Sequence, residues 1–139
     1  MRIFKPQFAP LVESGAKLQT VRPNPKRMPK PGDRISLRCW SGAPYRSKQR
    51  VLRESIITEV TPIELCFIRC RLLIWIRGEK PRHLNTAEIE AFARADGFRD
   101  AAEMAHWVQT VHGLPFAGVL IVWRNPKIRD AGERAASPL

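Results

Sequence analysis

The sequence GAKLQTVR, residues 15–22, joins a predicted short helix to a predicted strand and brings three reactive or charged side chains close together. Residues 18–22 have strand character, and successive side chains of a strand point to opposite faces. Thr20 and Arg22 therefore share a face, and Lys17 stands at the turn that leads into it. A base, a hydroxyl and a fixed cation at one spot suit either hydrolytic chemistry or the holding of a phosphate.

The pattern around this stretch predicts short strands followed by helices. The predicted elements are a helix over 8–14, strands over 18–22, 34–40 and 51–60, one or two strands within 65–77, a helix from 85 or 86 to about 95, a second helix between Asp100 and His112, and a last strand over 116–123. Thr61-Pro62 is expected to end the third strand. Short strands, basic loops and two packed helices predict an α+β domain built on a small, strongly curved sheet or barrel.

Length and hydropathy indicate one domain over residues 1–124, followed by a polar tail over 125–139 that we expect to be frayed. The chain has 139 residues, and no apolar run approaches the roughly 20 residues needed to span a bilayer. The first residues lack the apolar segment of a secretory signal. We therefore expect a soluble, cytoplasmic protein.

The charge balance is strongly basic, with 24 Lys and Arg against 13 Asp and Glu, which gives a net charge of +11. Such an excess in a small domain favours a polyanionic partner, and nucleic acid is the first candidate. A solvated basic surface and a noncatalytic module that meets an acidic protein partner are the alternatives. Membrane binding is not expected, because no basic amphipathic helix stands out.

The cysteines, Cys39, Cys66 and Cys70, are an odd number without a secretory signal and are expected to be free thiols. Cys66 and Cys70 have one of the spacings found in zinc sites, but the histidines supply no clean second pair of ligands. We therefore predict no metal site and no cofactor.

Five short motifs occur in a characteristic order along the chain. They are Phe4-x-Pro6-x-Phe8, Gly15-x-Lys17-x-x-Thr20-x-Arg22, Gly32-Asp33, Ala93-x-x-Asp96-Gly97-Phe98 and Phe116-x-Gly118-x-Leu120-Ile121-x-Trp123. In this order they resemble the ASCH family, a branch of the PUA-like superfamily of small RNA-associated β-barrels, over about residues 3–124. The resemblance implies a PUA-like barrel of about five to six strands with two or three packed helices.

The resemblance also implies a site made of Lys17, Thr20 and Asp96, with Arg22 in the same motif. Related members that hydrolyse N4-acylated cytidine have a glutamate at the position of Asp96, whose side chain is one methylene shorter. In a hydrolase, Thr20 would be the nucleophile or orient the attacking water, and Lys17 would accept its proton if the lysine pKa were lowered. Asp96 would protonate the leaving amine or orient Lys17, and Arg22 would stabilise an oxyanion or a phosphate.

Each of these residues also has a purely structural interpretation. Thr20 suits any strand, Lys17 could be an ordinary exposed lysine, and Asp96 could stabilise the turn at Gly97. The residues expected to contact nucleic acid, besides Arg22, lie in or beside two basic loops: Lys26, Arg27, Trp40, Tyr45, Arg46 and Lys48.

Three functional hypotheses follow. The first is a domain that binds single-stranded RNA or a nucleotide or nucleoside. The second is a hydrolase, either an amidohydrolase acting on N4-acylated cytidine or a ribonuclease acting on single-stranded RNA. The third is the noncatalytic protein-interaction module.

Overall fold

A computed structural model describes residues 2–68, 71–78 and 80–124. Its elements, in chain order, are β1 (Arg2–Phe4), α1 (Ala9–Ser14), β2 (Gln19–Pro23), β3 (Arg34–Trp40), β4 (Gln49–Ile68), β5 (Arg71–Ile76), β6 (Arg82–His83), α2 (Thr86–Ala95), α3 (Ala101–Val111) and β7 (Phe116–Trp123). The predicted α+β class is confirmed. The described residues form seven strands rather than five to six, and three helices.

The long strand β4 organises the sheet. Its first part pairs antiparallel with β3, and its later part pairs antiparallel with both β7 and β5. β7 also pairs with β2, and β3 pairs in parallel with β1, so one path through the sheet runs β2-β7-β4-β3-β1. Among the described residues no backbone pairing joins β1 to β2, the two ends of this path, and the ladders do not close into a barrel.

β3 and β7 carry much of the hydrophobic core, and β7 is buried on both of its faces. The alternation in β3 buries Ile35, Leu37 and Cys39, as the sequence pattern predicted. Trp123 of β7 is 1% exposed and packs edge-on against Phe4, with ring centroids 5.9 Å apart. This contact holds the C-terminal end of β1 against the core.

The two long helices begin where the sequence indicated. Asn85 caps α2 in a reciprocal capping box with Glu88, and the Asp100 side chain accepts a hydrogen bond from the backbone N–H of Glu103 at 2.8 Å. Asp96 is the C-cap residue that follows α2, and it is followed by Gly97 with φ of 97°. A glycine adopts this left-handed conformation without the steric cost that a Cβ would impose.

Two sequence-based expectations about the strands are wrong or incomplete. Thr61-Pro62 does not end a strand, because β4 continues through it to Ile68. Pro62 lacks an N–H, but its carbonyl accepts a hydrogen bond from the backbone of Arg77 at 2.8 Å, and this keeps the ladder intact. β1 has three residues, too few for an alternating pattern to reveal it.

The predicted tail, residues 125–139, and Cys70 lie outside the described residues. Within the described ranges, no helix combines the length and the apolar character needed to cross a bilayer.

Candidate functional site

Lys17 and Asp96 are 79 residues apart in sequence and adjacent in the structure. α1 ends at Gly15, whose φ is 86°, and the Lys17 backbone N–H then donates to the carbonyl of Leu11 at 2.9 Å. This turn directs the lysine inward. Asp96 stands at the C-terminal end of α2, where its backbone N–H donates to Phe92. The ends of two helices therefore place a cation and a carboxylate side by side.

The Lys17–Asp96 pair is buried, with Lys17 2% and Asp96 6% exposed. The Lys17 ammonium donates a hydrogen bond to the backbone carbonyl of Asp96 and lies 3.5 Å from its Oδ1. Gln19 Nε2 also lies 3.5 Å from Oδ1. Gly97 makes room for the lysine stem, because a Cβ there would lie 3.3 Å from Lys17 Cδ and 3.1 Å from a ring carbon of Phe8.

Burial moves the pKa values of both partners towards neutrality. Burial raises the pKa of Asp96 to about 6, although the neighbouring Lys17, Gln19 and Arg22 favour the carboxylate. Burial also lowers the pKa of Lys17, with a smaller contribution from the positive charge of Arg22, although Asp96 opposes the change. Near neutral pH, each side chain therefore gains or loses a proton more easily than the same side chain would in water.

Thr20 and Arg22 lie on one face of β2, as the strand periodicity predicted. Arg22 Nε donates to Thr20 Oγ1 at 3.2 Å, and Arg22 Nη2 donates to the backbone carbonyl of Ile3 at 3.0 Å. The guanidinium carbon lies 4.9 Å from the ring centroid of Phe4. Burial, together with the charge of Arg2, lowers the Arg22 pKa to about 10, so the side chain stays cationic at neutral pH. Arg22 therefore bridges β1 and β2, the two edge strands that are not paired with each other.

Lys17, Thr20, Arg22 and Asp96 all line one pocket of about 170 Å³. This pocket lies between β1, β2, α3 and the turn after α2. Phe4, Phe8, Phe98 and Trp107 supply aromatic surface, and Thr20 is 5% exposed. The complete lining is Ile3, Phe4, Lys5, Phe8, Lys17, Thr20, Val21, Arg22, Pro23, Asp96, Phe98, Trp107, Val111 and His112. Flat apolar walls with a few converging polar groups are typical of a site for a small planar ligand.

Sequence reasoning missed three polar side chains of this site. Lys5 and His112 line the pocket, and Gln19 contacts Asp96. His112 is the C-cap residue of α3, and the sequence pattern marked it as the end of a helix and gave it no role in this site. Burial and the positive charges of Arg22 and Lys5 lower the pKa of His112. Strand alternation assigned Gln19 to the face opposite Thr20, so its contact with Asp96 was not expected.

The predicted nucleic-acid-binding residues of the loops lie elsewhere on the surface. Lys26, Arg27, Arg46 and Lys48 are exposed, and within the described chain the pocket lining includes none of them. Tyr45 is 88% exposed, and its ring centroid lies 5.1 Å from that of Trp40. The pair forms an accessible aromatic surface in the loop between β3 and β4, outside the pocket.

The loop between β3 and β4 nevertheless begins near the pocket. β1 and β3 are parallel, and Phe4 is opposite Cys39, so both strands end at the same edge of the sheet. Lys5, which lines the pocket, directly follows β1, and Trp40 ends β3. Lys5 and the start of the 41–48 loop therefore lie at the same edge of the sheet.

In the described ranges, no three His, Cys, Asp or Glu side chains lie close enough together to hold a metal ion. Comparisons with protein-family models, with curated proteins and with solved structures found no match to this chain.

Proposed function

We propose that this chain is an RNA- or nucleotide-binding domain of the ASCH type that holds one base in the pocket beside Lys17. One observation carries the proposal: Asp96, from a distant part of the sequence, joins Lys17, Thr20 and Arg22 in a single aromatic-lined pocket. Three of them are buried polar or charged groups, which are costly to place in a core without a use or a partner.

The charge of the pocket supports an anionic ligand. Lys5, Lys17 and Arg22 line it, against one carboxylate, Asp96. The whole chain carries a net charge of +11, which attracts a polyanion over a longer range. Nucleic acid and nucleotides meet both conditions.

The size and walls of the pocket support a single base as its occupant. A volume of about 170 Å³ is below the several hundred Å³ typical of drug-sized sites. A base can lie against Phe4, Phe8 or Trp107, and Asp96 can accept a hydrogen bond from an exocyclic amine. Both contacts to the Asp96 carboxylate fall on Oδ1, which leaves Oδ2 for a ligand.

The proposal includes a PUA-like barrel that is closed by side chains rather than by a backbone ladder. β1 and β2 end the path β2-β7-β4-β3-β1, and Arg22 reaches from one to the other through its bond to Ile3. The pocket lies at this junction. A cleft where a curved sheet fails to close would give one base access to buried groups.

Fluorescence anisotropy with a labelled single-stranded RNA tests the binding function. We expect saturable binding at about 50 mM salt that weakens by at least tenfold towards about 200 mM, because phosphate contacts release counterions. Lys17→Met should reduce the affinity, whereas Lys30→Met, at an exposed position outside the pocket, should change it little. Failure of RNA, nucleotides and nucleosides to bind at low salt contradicts the proposal.

A hydrolase acting on N4-acylated cytidine is the second candidate. The observation that favours it is the pair of adjacent groups, Lys17 and Asp96, whose pKa values move towards neutrality and which share the pocket with Thr20. A neutral Lys17 amine can accept a proton from Thr20 or water while still donating to the Asp96 carbonyl. Attack of water or Thr20 on the acyl carbon forms the new C–O bond, the C–N4 bond breaks, and protonated Asp96 supplies the proton to N4. Attack by water releases the carboxylic acid directly, whereas attack by Thr20 leaves an ester that a water molecule then hydrolyses to restore the hydroxyl.

Incubation with N4-acetylcytidine and with single-stranded RNA, followed by chromatography, separates the amidohydrolase from the ribonuclease. Asp96→Glu restores the glutamate of the related hydrolases and should raise deacetylation if carboxyl placement limits the reaction, since about 1 Å can cost on the order of 100-fold. Activity unchanged in Thr20→Val and Lys17→Met would exclude this site. Binding without turnover would leave the first proposal standing alone.

A further inference from the structure

The outer part of the pocket carries a second group of residues, Lys5, Arg22 and His112. The Lys5 ammonium lies 5.6 Å from the ring centroid of Trp107, and the Trp107 ring lies 5.8 Å from that of His112. Lys5 and His112 therefore flank the same tryptophan. Lys5 is exposed, so this side of the pocket is open to solvent.

Within the described part of the chain, the two permanent charges of this group, Lys5 and Arg22, have no carboxylate in ion-pair contact. Among the described residues no ion pair is formed by Lys5 or Arg22, and the one acid in the pocket lining, Asp96, is paired with Lys17. Arg22 uses Nε and one Nη2 hydrogen for Thr20 and Ile3. Its Nη1 group and the other Nη2 hydrogen are left as donors, in the fork geometry that matches a phosphate.

His112 lies within electrostatic range of both cations. Burial, Arg22 and Lys5 together lower its pKa, which favours the neutral imidazole. A neutral imidazole carries one N–H, which can donate to a phosphate oxygen. An anion bound between Lys5 and Arg22 would offset their charges and favour the imidazolium, which adds a second donor.

We propose that Lys5, Arg22 and His112 form a phosphate subsite at the mouth of the pocket, for the phosphate attached to the nucleotide whose base lies deeper inside. This inference rests on the proposed nucleotide-binding function and adds the ligand class: a nucleotide rather than a free nucleoside. The phosphate is either the terminal monoester of a mononucleotide or a diester within single-stranded RNA.

Calorimetric titration of the full chain with three ligands tests the subsite and separates these sources. The ligands are cytidine, cytidine 5′-monophosphate and the dinucleoside monophosphate CpC. We expect the monophosphate to bind at least about tenfold tighter than cytidine, which corresponds to one charge-assisted phosphate contact. Tighter binding of CpC than of the monophosphate assigns the subsite to an internucleotide phosphate, and the reverse order assigns it to a terminal one.

Substitutions identify the residues that cause the monophosphate to bind more tightly than cytidine, a difference called here the phosphate advantage. Lys5→Ala and His112→Ala should bring the affinity for the monophosphate towards that for cytidine, and His112→Gln, which retains an N–H donor, should recover part of it. Lys30→Ala and His106→Ala make the same chemical changes at exposed positions outside the pocket lining, and both should preserve the advantage. Equal affinities of the wild-type chain for cytidine and both phosphorylated ligands would overturn the subsite and leave base binding intact.

NMR titration of the three histidines gives an independent readout. The His112 pKa should rise when the monophosphate or inorganic phosphate is bound, whereas His83 and His106, which do not line the pocket, should be unaffected. A His112 pKa that stays constant with saturating monophosphate contradicts the subsite. If inorganic phosphate raises it but no base-containing ligand binds, the subsite stands and the proposed function fails.

Discussion

Gly118 of β7 lies so close to the backbone carbonyl of Arg22 that a Cβ at position 118 would overlap the carbonyl oxygen. The same Cβ would lie 2.9 Å from two ring carbons of Phe116. Gly118 is opposite Pro23 in the β2–β7 ladder, one residue beyond Arg22. The absence of a side chain at 118 therefore allows β2 to approach β7 closely enough to hold Arg22 in the pocket wall.

Gly118→Ala should destabilise the fold and disturb the pocket together. Overpacking against backbone costs about 1–3 kcal/mol or more, and each kcal/mol lowers the melting temperature by roughly 2–8 °C in domains of this size range. Ligand affinity should fall as well, because Arg22 must shift. Gly78→Ala is the matched control, since its Cβ would make only an ordinary 3.4 Å contact with the Thr61 methyl. Equal melting temperatures for the two variants would show that the close approach is not required.

Asp96 should make the fold less stable as pH rises from about 4 to 6. Its pKa is 3.8 in a model compound and about 6 in the folded protein, so the folded state binds more protons in this window. The shift of about two pH units corresponds to roughly 3 kcal/mol as an upper value. The lowered pKa of Lys17 acts in a different window, where stability rises with pH towards 10.5.

Denaturant unfolding of the wild type and Asp96→Asn, measured at several pH values, isolates this contribution. The stability of the wild type minus that of the variant should fall between about pH 4 and 6 and level off above about 7. Asp33→Asn, at an exposed turn, should not reproduce this dependence. A difference that instead grows with pH across the window would mean that the folded-state pKa of Asp96 is lowered.

Strand periodicity in the sequence was sufficient to place Thr20 and Arg22 together, because that relationship is local to β2. The helix caps at Asn85 and Asp100 were predictable for the same reason. The expectation that Asp96 joins Lys17 came from a resemblance, since nothing in the local pattern of either segment reports a contact over 79 residues. The structure now places them 3.5 Å apart, which makes the purely exposed interpretation of Lys17 wrong.

The sequence pattern did not reveal that Lys5 and His112 line the pocket, because their positions depend on long-range packing. Lys5 reaches the pocket because β1 pairs in parallel with β3. A strand of three residues is too short for its sequence pattern to predict this pairing. His112 reaches the pocket because the C-terminal part of α3 packs against the start of α1, where the Trp107 ring contacts that of Phe8. Pro62 shows the opposite case, in which a local strand breaker is accommodated because its carbonyl still has a partner.

Arg22→Lys should weaken ligand binding although it preserves the charge. A single ammonium cannot reproduce the Nε bond to Thr20 and the Nη2 bond to Ile3 while still presenting donors to a ligand. Hydrogen bonds to charged groups contribute about 1.5–3 kcal/mol, so we expect a loss of roughly 10- to 100-fold in affinity by calorimetry. Arg27→Lys, at an exposed loop position, is the control. Similar affinities for the two variants would remove Arg22 from the binding site.

Tyr45→Ala should separate the contribution of the exposed loop from that of the pocket. Tyr45 is 88% exposed and contacts Trp40, so its removal should leave the melting temperature nearly unchanged. If the pair stacks on an RNA base, affinity for single-stranded RNA should fall by about 1–3 kcal/mol, while affinity for a mononucleotide held in the pocket stays constant. Phe67→Ala is the matched control, because Phe67 is an exposed aromatic residue outside both the pocket and the loop. Anisotropy with RNA and calorimetry with the mononucleotide measure the two effects, and equal losses for both ligands would contradict a separate role for the loop.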